Sequence, residues 1–263
     1  MAESGPLKVA VLQATSVVGD LGHNLATLEE YARQAAARGA RLLVTPELFT
    51  SGYAPAAVAH DDGARHRERL AALARSVGVA LVASTVDRQD GERFISASLF
   101  DHRGHELTRY RKTHLFGEAE NTFFTPGRRP PQVVPLYGVP VALGICFDVE
   151  FPEFTRAVAL SGAELLCVPT AVPLRPPVDG RPAPFDTRLV PGMVVPTRAL
   201  ESQLFIAYAN HSGPGFAGLS CLSDPYGRRV AAGETGEELV VAEVSGETLR
   251  AARRDTGYLA LRG

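Results

Sequence analysis

The first half of the chain alternates between short apolar runs and amphipathic segments. The apolar runs Leu7–Ala14, Arg41–Thr45 and Val79–Thr85 are typical of buried strands. After Asn24, apolar residues recur every three or four positions as far as Gly39, which predicts a helix with Asn24 as its N-cap. A second amphipathic segment ends just before Val79, so helices and strands are expected to alternate in this half.

Strands dominate the remainder of the chain. The turn Arg103-Gly104 separates two strand-like segments and predicts a hairpin. The apolar, β-branched run from Val139 to Cys146 predicts a buried strand, and Pro152 opens a helical pattern after it. Further strands are expected at Phe94–Asp101, His105–Tyr110, Gln132–Leu136, Glu164–Pro169 and Leu204–Ala209, with short ones between Gly218 and Val244.

This order of elements indicates an α/β protein with a mixed sheet system. The proline-rich segment Val172–Pro191 is flanked on both sides by core-like strands. We therefore interpret it as a loop that covers a site, and not as a boundary between domains. A single domain over residues 1–263 is the expected organisation.

Composition narrows the class of protein. The chain has 263 residues, of which 45% are hydrophobic and 21% charged, with a net charge of −2 and no basic stripe, so nucleic acid and anionic membranes are poor candidates as partners. No apolar run approaches the ~18 residues of a membrane span. Three widely spaced cysteines and a start without a signal-peptide pattern predict a cytoplasmic protein without disulfides.

Three reactive side chains follow predicted strands. Cys146 ends an apolar strand, where its backbone would be rigid and its thiol could face a cleft. Glu47 follows the apolar run 42–46, and Lys112 precedes the apolar pair Leu115-Phe116. Each has a more ordinary interpretation when taken alone: a buried small side chain for the cysteine, a solvated turn residue for the glutamate and a surface residue for the lysine.

Together the three side chains make chemical sense. A free thiol has a pKa of ~8.5 and a free glutamate ~4.3, so moving the proton from thiol to carboxylate costs roughly 5 to 6 kcal/mol. Burial would raise the pKa of Glu47, and a nearby Lys112 would lower the pKa of the Cys146 thiol. We therefore expect covalent acyl-transfer chemistry from these residues.

The segments resemble the three signatures of the carbon–nitrogen hydrolase (nitrilase) superfamily. The strand end at Pro46-Glu47 resembles its glutamate motif, Tyr110–Leu115 its lysine motif and Gly144–Glu153 its cysteine motif, in the same order along the chain. The resemblance covers almost the whole chain. Glu120 matches the second active-site glutamate of the superfamily.

This resemblance implies a four-layer α-β-β-α sandwich with two mixed sheets, and a mechanism without metal or cofactor. Glu47 would be the general base and Cys146 the nucleophile that forms a thioester. Lys112 and the backbone N–H of Phe147 would stabilise the oxyanion, and Glu120 would position Lys112 or the departing amine. A homodimer or a higher homo-oligomer is also implied.

The motifs are most similar to those of amidases that act on small aliphatic amides. We expect Glu150, Phe147, Thr170 and Phe116 to contact the substrate. A carboxylate four residues after the nucleophile would attract a cationic amide with an amino or guanidino group. The alternative, of equal weight, is that Glu150 pairs with Arg156 on the next helical turn.

Two other functions stay open. One is a different reaction of the same superfamily, on a nitrile or an N-carbamoyl group. The other is a non-catalytic binding protein that keeps the fold, which is disfavoured because all three reactive residue types are present together.

Overall fold

Two six-stranded mixed sheets pack face to face, and helices cover both outer faces of the pair in a computed structural model of the chain. The structure describes residues 5–175, 177, 179–181 and 183–260. The predicted α-β-β-α sandwich is confirmed. In the first sheet the strand order is β12-β1-β2-β3-β4-β5, and in the second it is β11-β10-β9-β8-β7-β6.

The strands and helices have the following bounds. The strands are β1 (Leu7–Gln13), β2 (Leu42–Val44), β3 (Ala80–Gln89), β4 (Glu92–Phe100), β5 (Glu106–Arg111), β6 (Val134–Leu136), β7 (Val139–Leu143), β8 (Leu165–Pro169), β9 (Phe205–Ala209), β10 (Cys221–Ser223), β11 (Arg229–Ala232) and β12 (Glu238–Val244). The helices are α1 (Leu21–Ala37), α2 (Pro55–Val58), α3 (Gly63–Val77), α4 (Gly117–Phe123), α5 (Pro152–Leu160), α6 (Val195–Ser202) and α7 (Gly246–Thr256), with a 3₁₀ turn at Cys146–Glu150 and a π-helical turn at Val190–Val194.

The layers follow from apolar residues that occupy both faces of each central strand. In β1, Val9 and Val11 belong to the core between the sheets, whereas Ala10 and Leu12 pack against α1 and α3. A strand that is buried on both faces reads as a continuous apolar run, because successive side chains point to opposite faces. Strands β1, β2 and β3 run parallel, as do β7, β8 and β9, so the carboxyl ends of these strands share one edge of each sheet.

Two predicted boundaries are wrong. Helix α1 is capped by Asp20, whose side chain accepts from the His23 N–H, so Asn24 is inside the helix. The Asn24 amide instead bonds the backbone of Val17 and Thr50. Strand β7 ends before Cys146, which begins the 3₁₀ turn.

Among its described residues, the proline-rich segment contributes an isolated β-bridge outside both sheets. Pro173 forms a β-bridge with Phe216, and positions 176, 178 and 182 of the predicted loop lie outside the described residues. A π-helical turn then leads directly into α6. Within the part of the chain that the structure describes, no helix has the length and apolar character to cross a membrane.

Candidate active site

Four of the predicted residues meet at the carboxyl ends of the sheets. Glu47 follows β2, Lys112 follows β5 and Cys146 follows β7, while Glu120 lies in the short helix α4. All four side chains are buried, with Cys146 5% exposed and the other three 0%. The face-to-face packing of the two sheets therefore brings together residues that are far apart along the chain.

The Lys112 ammonium lies between two carboxylates. Its Nζ donates to Glu47 Oε1 and to Glu120 Oε1, each at 2.8 Å. Burial disfavours the ammonium, but the nearby carboxylates outweigh this, so the pKa of Lys112 lies above its ordinary value. Lys112 is thus a positive charge that two hydrogen bonds hold in place away from the protein surface.

The second carboxylate oxygen of Glu47 is available to accept a proton. Oε2 is buried and has no hydrogen bond of good geometry among the described residues. Burial raises the pKa of Glu47 to about 7, although the ion pair with Lys112 and contact with Cys146 oppose the rise. A carboxylate with a pKa near neutrality suits a general base at physiological pH.

Cys146 occupies a strained turn. Its φ is +46°, a left-handed conformation that non-glycine residues rarely adopt and that is often found at functional sites. Lys112 lowers the thiol pKa as predicted, but this contribution does not set the net shift. Burial and the charge of Glu47 raise the pKa well above the ordinary value, although Lys112 and the Ala171 N–H lower it. The resting group is a neutral thiol that needs a base.

Asp148 holds the turn that presents Cys146. Its carboxylate accepts from the Ile145 N–H at 3.0 Å and the Tyr110 hydroxyl at 2.9 Å. It also accepts from His114, through the backbone N–H at 3.0 Å and with Nδ1 at 2.8 Å. These bonds tie the segment around Lys112 to the turn around Cys146.

Glu120 is fixed by partners on three sides. Besides Lys112, its Oε1 accepts from the Tyr53 hydroxyl at 2.7 Å, and its Oε2 accepts from the Phe116 N–H at 2.8 Å. Both oxygens of Glu120 therefore accept hydrogen bonds, whereas only Oε1 of Glu47 accepts one of good geometry. These contacts fit a residue that positions Lys112.

The predicted substrate-contact residues differ in their surroundings. Phe116 and Phe147 are half-buried and meet edge to face, with ring centroids 5.4 Å apart. Thr170 is fully buried, its hydroxyl donates to the Val168 carbonyl, and its own carbonyl accepts from the Glu47 N–H. Its contacts therefore assign Thr170 to holding the base, and substrate contact by Thr170 stays a prediction.

Glu150 does not pair with Arg156. The Arg156 guanidinium donates to the carbonyls of Glu201 and Tyr258, which excludes the predicted alternative. No ion pair is found for the Glu150 carboxylate within the described residues, and burial raises its pKa against the opposing charges of Arg175, Arg198 and Lys112. Lys112 is the weakest of these three charges, so contact between Glu150 and a substrate stays a prediction.

The sequence pattern did not identify three further residues of the site. Tyr53 bonds Glu120, His211 bonds the Glu47 carbonyl, and Tyr208 is fully buried. The Tyr208 hydroxyl has no hydrogen bond of good geometry among the described residues, and burial together with Cys146 and Glu150 raises its pKa. The one sequence signal for His211 is its position just after the predicted strand β9, at the same sheet edge as the end of β8.

Groups of three or more His, Cys, Asp or Glu side chains with the geometry to hold a metal ion do not occur in the described ranges. The titratable groups of the site are instead engaged with one another through Lys112.

Comparison with known proteins identifies the family. Residues 8–254 match the carbon–nitrogen hydrolase family. The chain is 35% identical to an (R)-stereoselective amidase of a Pseudomonas species, covering 96% of this chain and 90% of that one. It is 29% identical to N-carbamoylputrescine amidase of Solanum tuberosum, covering 98% and 92%.

Solved structures agree. A variant of the amidase from Nesterenkonia sp. AN1 in complex with acrylamide superposes with a TM-score of 0.87 at 35% identity, over 100% of this chain and 96% of that one. In another variant of that amidase, with a TM-score of 0.87, 35% identity and coverage of 99% and 95%, the acetamide moiety of fluoroacetamide is attached to the active-site cysteine.

The chain belongs to the carbon–nitrogen hydrolase family, in the nitrilase superfamily. It is a hydrolase of carbon–nitrogen bonds other than peptide bonds.

Proposed function

We propose that this enzyme hydrolyses a small aliphatic amide to a carboxylic acid and ammonia through a thioester on Cys146. The observation that carries the proposal is the buried Glu47 carboxylate, which has one oxygen bonded to Lys112 and the other without a hydrogen bond of good geometry among the described residues. The covalent acetamide adduct of the Nesterenkonia amidase supports a cysteine nucleophile in this family.

In the first half of the reaction, Cys146 Sγ attacks the amide carbon while its proton moves to Glu47. The carbonyl oxygen gains negative charge, which Lys112 and the Phe147 N–H stabilise. Glu47 then gives the proton to the departing nitrogen, the C–N bond breaks, and ammonia leaves. Glu120 keeps Lys112 oriented throughout.

In the second half, water attacks the thioester carbon and gives a proton to Glu47. The C–S bond breaks, the acid is released, and the proton returns to the sulfur. One water is consumed, no electron is transferred, and the thiol is regenerated.

A panel of amides, nitriles and ureido acids tests the reaction class. We expect ammonia release from short aliphatic amides, and a mass increase on the Cys146 peptide equal to the acyl group after rapid acid quench. Turnover of nitriles or N-carbamoyl compounds but of no amide would replace this proposal with the alternative reaction. That alternative is kept because a similar enzyme is an N-carbamoylputrescine amidase.

We further propose that the amide is cationic and carries an amino or guanidino group. Glu150 supports this, because its carboxylate has no ion pair within the described residues and is within the electrostatic influence of Lys112. The neighbouring Arg175 and Arg198 weaken the negative potential, so we expect a moderate preference and not an absolute one.

Matched substrates test the charge preference. An ω-amino amide should have a kcat/KM about 10-fold above that of the neutral amide of equal length, and Glu150→Gln should remove most of this difference. Glu153→Gln, at an exposed position on α5, is the matched control. A wild-type preference for the neutral amide would contradict the proposal.

Three further predictions accompany this function. We propose a homodimer or higher homo-oligomer, supported by exposed apolar side chains on and near the outer helices: Leu160, Leu189 and Met193. Light scattering of the purified protein tests it, and a monomer at micromolar concentration would contradict it. The cytoplasmic location and the single domain over residues 1–263 stay predictions from the sequence.

A further inference from the structure

His211 bonds the backbone of the residue that serves as the base. It follows β9 and is 1% exposed, and its Nε2 lies 2.7 Å from the carbonyl oxygen of Glu47. The carbonyl can only accept, so Nε2 carries the hydrogen and donates. This bond crosses from the second sheet to the first.

The ring of His211 has little freedom to move. It stacks on Phe216 with centroids 4.9 Å apart and on Phe49 with centroids 5.9 Å apart. Burial lowers the pKa of His211 to about 4, so the imidazole is neutral at the pH of most enzymes. A neutral, stacked imidazole is a directional donor and adds no charge beside Glu47.

The bonded carbonyl belongs to a strained segment. Leu48, the next residue, has a φ of +50°, a conformation that costs a non-glycine residue about 1 to 3 kcal/mol unless neighbours hold it. On the other side, the Glu47 N–H donates to the Thr170 carbonyl at 3.1 Å. The backbone of Glu47 is therefore held at both its N–H and its C=O by residues that follow β8 and β9.

We propose that His211 is a positioning residue, which fixes the peptide after Glu47 and so aims the free carboxylate oxygen at Cys146. The role rests on the proposed function, since it assumes Glu47 is the base. His211 does not contact the reacting atoms through this bond. Its loss should therefore lower the rate of proton removal from the thiol more than it lowers substrate binding.

Two substitutions separate the donor from the ring. His211→Phe keeps a flat ring between Phe49 and Phe216 but removes the N–H, whereas His211→Gln keeps an N–H donor. We expect His211→Phe to lower kcat about 10- to 100-fold with KM within about twofold, because a misplaced catalytic group can cost a factor of this size. His211→Gln should recover most of the loss.

Alkylation of Cys146 by iodoacetamide, followed by peptide mass, gives a second measurement that does not require amide turnover. His211→Phe should slow it by a similar factor. His66→Phe is the control, because His66 is another buried histidine whose Nδ1 lies 3.0 Å from Thr50 Oγ1 and not at the Glu47 backbone.

The outcomes are distinct. Full kcat and full alkylation rate in His211→Phe would overturn the proposal, as would a folded His211→Gln that is as slow as His211→Phe. If the phenylalanine variant does not fold, the glutamine variant decides by itself, with near wild-type alkylation in support. Failure of the wild type to hydrolyse any amide would remove the proposed function, while the alkylation rates would still test His211.

Discussion

Two buried carboxylates, Asp148 and Glu47, differ in how many hydrogen bonds they accept. Asp148 accepts four hydrogen bonds, two on each oxygen. Glu47 accepts one hydrogen bond of good geometry, from Lys112, and its Oε2 has none among the described residues. Both residues are 0% exposed, so burial alone does not distinguish them.

The difference in hydrogen bonding distinguishes a carboxylate that stabilises the fold from one that takes part in the reaction. A buried carboxylate with all its acceptor sites filled stabilises the loops that donate to it. A buried carboxylate with an unfilled oxygen is costly, and its pKa rises until it readily takes a proton. We infer that Asp148 serves the turn and Glu47 serves the reaction, and the following experiments test that division.

The largest effect is expected at the nucleophile. Cys146→Ala removes the nucleophile and should lower kcat for amide hydrolysis by at least about 10⁴-fold. Cys167→Ala is a matched control, since Cys167 is also fully buried but no charged group contributes to its raised pKa. Comparable activity in the two variants, measured as ammonia release, would rule out the thioester mechanism.

Glu47→Gln should come next in size. It keeps the shape and the bond to Lys112 but cannot take a proton, so kcat should fall by about 10²- to 10⁴-fold. The free energy of unfolding in urea should change less than it does for Asp148→Asn, because Lys112 keeps Glu120 as its charged partner. A large loss of stability with activity retained would reverse the division between the two carboxylates.

Asp148→Asn should act mainly on stability. The new amide N–H₂ would face donors, leaving buried groups unsatisfied, so the free energy of unfolding should drop by about 2 to 4 kcal/mol. Asp186→Asn, at an exposed ion pair with Arg188, is the control and should change it by less than about 0.5 kcal/mol. Urea denaturation measures both, and equal values would show that the four bonds do not stabilise the fold.

The pH profile provides a smaller and graded test. Glu47 must be deprotonated to act as a base, and its pKa is about 7. The value of kcat/KM should therefore be level above pH 7 and fall tenfold per unit as the pH drops below it. A fall in kcat/KM that begins near pH 4.5 in the wild type would show that another group titrates. The same conclusion would follow if the residual activity of Glu47→Gln still fell below pH 7.

The smallest effect is expected at Tyr53. Tyr53→Phe removes one of the hydrogen bonds to Glu120, which keeps Lys112 and the Phe116 N–H as partners. We expect kcat to fall about 3- to 10-fold with KM nearly unchanged, consistent with one lost bond of about 1 kcal/mol. A loss as large as that of Glu47→Gln would mean that Tyr53 acts on the substrate directly.

Apolar runs were sufficient to predict the strands that carry the site. Val79 to Thr85 and the hairpin at Arg103-Gly104 are found as expected, because a strand buried on both faces has a strong sequence signal. The N-cap of α1 was misassigned because Asp20 and Asn24 are equally good caps by residue type. Which of them caps the helix depends on Asn24 bonding Val17 and Thr50, and such contacts have no local signature.

Prediction of the active site from the sequence has the same limit, because contacts between distant residues have no local signature. Glu47, Lys112, Cys146 and Glu120 were found because their motifs and order are specific, and the structure brings the four together. The net rise of the Cys146 pKa was not predicted, because the depth of burial could not be judged from a strand end. Tyr53 and His211 were missed because aromatic residues in loops are common, and only the folded chain shows what they touch.

The backbone at Cys146 has a consequence for engineering. At a φ of +46°, the backbone conformational energy is lower for glycine or asparagine than for cysteine, by an amount on the order of 1 kcal/mol. A search for heat-resistant variants that scores folding alone would therefore favour replacing the one side chain on which turnover depends. Any stabilisation programme for this enzyme needs an activity screen at every round.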